Sequence, residues 1–182
     1  MNNLASNLAS SFSEALLAEQ KNRDSSIYDG NFAETSLIEL VYRYWLETVL
    51  AKMGFTNLHR EVLYPENSQL MGKKKSCDLW GSLEGKEYWL EMKVAYENTG
   101  YTKAELLSDI EKLSVLSGDH LKRIYIAVFV ASTENLPVKL DAIHKSANNI
   151  NADVINLVSE IPKPASWTGW GGCYLHVSCL VW

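Results

Sequence analysis

Residues 123–131 read RIYIAVFVA, a near-continuous apolar run rich in β-branched and aromatic side chains. A strand written this way has no solvent-facing side. It belongs in the middle of a sheet, and strands buried on both faces are a feature of α/β proteins. The rest of the chain must then supply flanking strands and helices. A chain of 182 residues, 47% of them hydrophobic, is enough for one domain with a substantial core, taken here as residues 1–182.

The flanking segments can be read by period. Residues 2–21 carry Leu4, Leu8, Phe12, Leu16 and Leu17 at amphipathic-helix spacing. Residues 21–31 are polar and contain Asp29-Gly30, a loop signal. A longer helix is predicted over 33–53, with Leu37, Val41, Tyr44, Thr48 and Val49 near one face and Gly54 as its stop. Residues 59–64 read as a strand ending at Pro65, followed by a polar loop that finishes in Lys73, Lys74 and Lys75. Residues 76–81 and 87–95 form a predicted β-hairpin around Glu84-Gly85. A helix over 102–116, the buried strand, a helix over 137–148 and two strands near 153–158 and 173–181 complete the chain.

Charge and cysteine content narrow the function classes. The net charge of −5 and pI near 5.4 argue against a broad basic coat for nucleic acid but allow a local basic patch. No apolar run reaches the ~20 residues needed to cross a bilayer. The first twenty residues lack the basic and apolar regions of a secretory signal, so a cytoplasmic location is expected. Three cysteines, Cys77, Cys173 and Cys179, do not make a disulfide framework. Cys173, His176 and Cys179 match no common zinc spacing. On a strand, His176 would also face away from both cysteines. The histidines show no ligand spacing and no nucleophile partner.

The chemistry is concentrated in the hairpin. In its second arm Leu90, Met92 and Val94 share one face, and Trp89, Glu91 and Lys93 the other. In its first arm Cys77 and Leu79 share one face, and Ser76, Asp78 and Trp80 the other. A two-residue turn at Glu84-Gly85 sets Leu83 opposite Lys86 and hence Asp78 opposite Glu91. Opposed Cβ atoms lie about 4.5–5.5 Å apart, and like charges there repel. Such a pair suits Mg²⁺, which usually binds one or two carboxylates plus a substrate phosphate. The backbone carbonyl of Met92 is a further candidate ligand. Lys93, on the same face, would stabilise charge developing on a phosphate or orient the attacking water.

Asp78, twelve intervening residues and then Glu91-Met92-Lys93 resembles the D…ExK signature of the PD-(D/E)XK nuclease superfamily. Helix, three strands, helix and strand over residues 33–131 is similar to that superfamily's αβββαβ core. The implied fold is α/β and restriction-endonuclease-like, with a mixed central sheet flanked by helices. The helix at 2–21 and residues 137–182 would be additions to it. The resemblance implies Asp78 and Glu91 as ligands of Mg²⁺, with Mn²⁺ as a substitute, and Lys93 as the catalytic lysine. It also implies an acid from the preceding helix, Glu34 first and Glu39 second. Asp109 and Lys112 look like the polar positions of the following helix, although a solvated helix face is the plainer account of them. Cys77 stands where the named motif has proline.

The implied activity is metal-dependent hydrolysis of phosphodiester bonds, with DNA as partner and a homodimer as a possible assembly. The alternative is an inactive module of the same fold that binds nucleic acid or a partner protein. Lys73–Lys75 and His59-Arg60 are candidate phosphate contacts. Trp167, Trp170 and Trp182 are read first as core or contact residues.

Overall fold

The structure, a computed structural model, describes residues 4–22, 35–65, 76–97, 103–161, 163 and 168–182, with backbone alone at 19–22 and 35–39. Its elements in chain order are α1 (Leu4–Asn22), α2 (Thr35–Lys52), β1 (Thr56–Leu63), β2 (Ser76–Leu83) and β3 (Lys86–Tyr96). Then come α3 (Lys103–Ser114), β4 (Leu121–Ala131), α4 (Val138–Asn149), β5 (Asp153–Glu160) and β6 (Tyr174–Val181). Every element read from the sequence is present, with ends shifted by up to three residues.

The six strands form one mixed sheet in the order β1-β2-β3-β4-β6-β5. Strand β4, the apolar run, pairs parallel with β3 and antiparallel with β6. The parallel pair needs a crossover, which α3 provides. Strands β5 and β6 extend the sheet beyond β4, and α1 lies against them. The two ends of the chain therefore pack on each other.

Because β4 is apolar on both sides, the sheet has a core on each face. Helices α1 and α2 cover Leu79, Leu90, Met92, Val94, Ile124, Ile126 and Val128. Helices α3 and α4 cover Cys77, Trp89, Ala95, Tyr125, Ala127 and Phe129. Residues alternate between the two lists along β3 and β4, as pleated backbone requires. Among the described residues no helix is long and apolar enough to cross a membrane.

Two local expectations are overturned. The buried side of α2 carries Tyr42, Leu46, Val49 and Leu50, while Val41 and Tyr44 are exposed. The helix is apolar around much of its circumference, so its hydrophobic period does not select a face. In β2, Leu79 packs toward α1 and α2, but Cys77 packs toward α3 and α4. Residues two apart should share a face, so the alternation breaks at Asp78. Opposite it in β1, Glu61 has a φ of 53°, a conformation that turns a side chain out of the regular pleat.

Candidate active site

The β2–β3 hairpin sets the geometry. Glu84 and Gly85 both have positive φ, 51° and 75°, as a two-residue type I′ turn requires. Leu83 pairs with Lys86, and the ladder runs to Leu79 opposite Leu90. One step further in this register stand Asp78 and Glu91.

There the ladder gives way to a side chain. The backbone N–H of Met92 donates to Asp78 Oδ2 at 2.7 Å instead of to a strand carbonyl. In a strand the N–H and C=O of one residue point the same way. The Met92 carbonyl is therefore directed at the same edge, beside Asp78. Asp78 Oδ1 accepts an ion pair from Arg43 of α2 at 2.6 Å. Arg43 also pairs with Glu61, which in turn accepts from Ser76 Oγ at 2.9 Å.

Glu91 lies on the other side of this edge and is 3% exposed. Its Oε1 accepts from Tyr64 Oη at 2.5 Å. The Tyr64 ring is stacked on Trp89, with centroids 5.5 Å apart, and Trp89 meets Trp80 edge to face. These rings fix the hydroxyl that holds the carboxylate. Lys112 Nζ of α3 is 3.8 Å from the same oxygen.

Helix α3 brings its own acid. Asp109 sits in the buried stripe Leu106, Asp109, Ile110 and Leu113. It pairs with Lys112 and, at 3.3 Å, with Lys93 Nζ. The helix is docked on β4 at both ends. Tyr125 Oη donates to Leu106 O at 3.0 Å, and Arg123 Nε donates to Leu113 O at 3.1 Å.

Three carboxylates thus gather at one place with three cations. The electrostatic consequence is sharpest at Glu91. Burial, then the neighbouring Asp78 and Asp109 charges, push its carboxyl up to about 9. Asp78 is also raised, mainly by burial, against the Met92 N–H and Arg43. Burial opposes the charge on Lys112, but its hydrogen bond to Asp109 and the Glu91 charge outweigh it and raise the pKa. Burial holds the Cys77 thiol at about 12, so it is not a nucleophile. An ionised Glu91 needs more positive charge than the lysines supply. Two adjoining carboxylates and a directed carbonyl are a donor set that Mg²⁺ accepts. Among the described residues no group of three or more His, Cys, Asp and Glu side chains converges on one ion position.

Asp78, Glu91, Met92 and Lys93 therefore come together. Glu34 lies outside the described residues. Glu39 lies on α2 one helical turn before Arg43, and its side chain is outside the described residues. Lys73–Lys75 and Trp167 also lie outside them. Asp109 and Lys112 are not a solvated helix face: Asp109 is 4% exposed, because α3 turns it onto β3. An acid at a position of the apolar stripe was the signal for this. His59 stacks on Trp80, and Arg60 pairs with Glu47 of α2.

Three residues went unread: Arg43, Glu61 and Tyr64. Arg43 had a signal, being the one basic residue within the apolar stretch of α2. Glu61 and Tyr64 had none, since their roles depend on a broken strand and a ring stack. The three cysteines are buried and unlinked. Leu175, Val177 and Cys179 pack toward α1, and His176 toward β5 and Thr133. Comparison of the chain with protein-family models, with curated proteins and with solved structures finds no match.

Proposed function

We propose that the chain is a Mg²⁺-dependent nuclease of the PD-(D/E)XK kind that hydrolyses phosphodiester bonds in DNA. The supporting observation is the proximity of Asp78 and Glu91, just past the last pair of the β2–β3 ladder, Leu79 and Leu90, with Lys93 two residues beyond Glu91 in β3. The helix, three strands, helix and strand from α2 to β4 accord with that superfamily's core.

In this reading Asp78, Glu91 and the Met92 carbonyl hold the ion, with Glu34 or Glu39 as a further acid. When bound, the ion supplies Lewis acidity to the phosphate and lowers the pKa of a water. Asp109 holds Lys93 near the ion-binding edge, where the ammonium faces the charge that builds on phosphorus. Lys112 balances Glu91. Tyr64 fixes the Glu91 oxygen it bonds. A cytoplasmic setting and pairing of two chains to cut both strands go with this proposal.

Incubation of supercoiled plasmid with Mg²⁺ or Mn²⁺ tests it. Wild type is expected to nick the plasmid. Lys93→Ala should slow the cut by about 10²–10³, the usual cost of losing one stabiliser of a developing anion. Asp78→Ala should abolish it. Cleavage that survives both substitutions contradicts the proposal. A second reading, a nuclease-fold module that binds without cutting, draws on the internal pairing of Asp78 and Asp109 with Arg43, Lys93 and Lys112. It predicts oligonucleotide binding by wild type with no cleavage in either metal.

A further inference from the structure

Arg43 pairs directly with Asp78, a proposed ion ligand, and its surroundings are lopsided. Its side chain is 9% exposed and bridges two acids of different character. Asp78, 14% exposed, belongs to the proposed ion centre, whereas Glu61 is 60% exposed and does not. Glu61 reaches the guanidinium from a backbone with φ of 53°, a conformation that costs free energy for a residue other than glycine and persists where surrounding contacts hold it. Both Asp78 oxygens already accept a donor, one from Arg43 and one from Met92 N–H. An ion entering at Oδ1 must come in beside the guanidinium. Two cations on one oxygen in a poorly solvated site repel, and the dication holds the oxygen more strongly.

We propose that Arg43 is a resident counter-ion of Asp78 which a divalent cation displaces, leaving the guanidinium on Glu61 at the edge of the site, where a substrate phosphate can take it up. This rests on the ion-centre reading above. Arg43 then has two successive partners, and Glu61 is the anchor that keeps it close in between. A planar fork of donors suits both exchanges, since it binds carboxylate and phosphate with the same geometry. Arg43 is a positioning residue while it holds Asp78 and becomes a substrate contact only once displaced.

The distinguishing property is the sign of its effect on ion affinity. A side chain that merely orients Asp78 helps the ion bind. A counter-ion competes with it. Calorimetric titration of the full chain with Mn²⁺, at fixed pH and salt, reads this directly. Arg43→Gln is expected to bind Mn²⁺ at least about tenfold more tightly than wild type. Glu61→Gln, at an exposed position, is expected to bind it severalfold more weakly, because Glu61 then no longer draws the guanidinium away from Asp78. If Arg43→Gln does not fold, the Glu61 variant decides the matter by itself. Unchanged or weaker binding by folded Arg43→Gln, or unchanged or tighter binding by Glu61→Gln, overturns the proposal while the ion centre stands. A wild-type protein that takes up no Mn²⁺ removes both.

Discussion

Glu91 is buried where two other carboxylates can reach it, and a pH dependence of definite sign follows. Its carboxyl is pushed up to about 9 from an ordinary 4.5. Between those values the folded ion-free protein binds a proton that the unfolded chain releases. The stability this proton supports is fully present below about 4.5 and is lost as pH rises toward about 9. Denaturant unfolding at several pH values should show this decline, and Glu91→Gln should flatten it and be the more stable protein at pH 8. Asp109 acts on the same site by another route. Asp109→Asn removes an acid that pairs with both Lys93 and Lys112, and cleavage should fall about 10- to 100-fold, as for other residues that orient a metal site. The hairpin was legible as far as Leu79 opposite Leu90, because the Glu84-Gly85 turn converts spacing into register, one step short of the acids. Arg43 and Tyr64 were not, since their partners lie 35 and 27 residues away.

The elements were legible to the degree that their patterns were one-sided. Helix α1 buries Leu8, Phe12 and Leu16 as its spacing implies. Helix α2 does not follow its expected face, because Leu40, Val41 and Tyr44 supply apolar residues where solvent lies. The break at Asp78 was invisible for a different reason. Period-2 reasoning assumes an unbroken pleat, and β2 interrupts it at Asp78. Helix α3 matters most to the site, because it carries Asp109 and Lys112. Its docking rests on Leu106, Ile110 and Leu113, all 2% exposed or less. Leu113→Ala should cost about 2–5 kcal/mol of stability, the range for a fully buried leucine. Tyr125→Phe removes the bond to Leu106 O and should cost about 1 kcal/mol. Its cleavage rate should fall more than that small loss of stability suggests, because the bond fixes the helix and not the core.

For the whole molecule, the sheet joins two chemically different ends. At one end lies the acid cluster. At the other, α4, β5 and β6 enclose a polar chain from His144 to Ser178, Asn156 and His176, ending on Thr133 O at 2.9 Å. Ser178 donates to Asn156 Oδ1, so His144 Nε2–H must donate to Ser178. His176 must likewise donate to Thr133 O and accept at Nδ1 from Asn156. His176 is neutral in this arrangement, and burial lowers the pKa of both imidazoles. A lowered histidine pKa means that the unfolded chain binds more protons below about 6.5, so stability falls as pH drops through that range. This acid limb of the stability profile runs against the alkaline limb, the decline from Glu91. His176→Gln should blunt the acid limb and leave the alkaline limb unchanged.

Proton release on ion binding tests most directly whether Asp78 and Glu91 share a divalent cation. Glu91 carries a proton at pH 7 and must lose it to become a ligand, since metal binding needs the ionised form. Mn²⁺ titrations at pH 7, in two buffers of different ionisation enthalpy, should show about one proton released per ion. Affinity should rise by about tenfold per pH unit up to the Glu91 pKa. Release should vanish in Glu91→Gln. Binding without proton release, or wild-type affinity retained in Glu91→Gln and Asp78→Asn, would contradict the shared site.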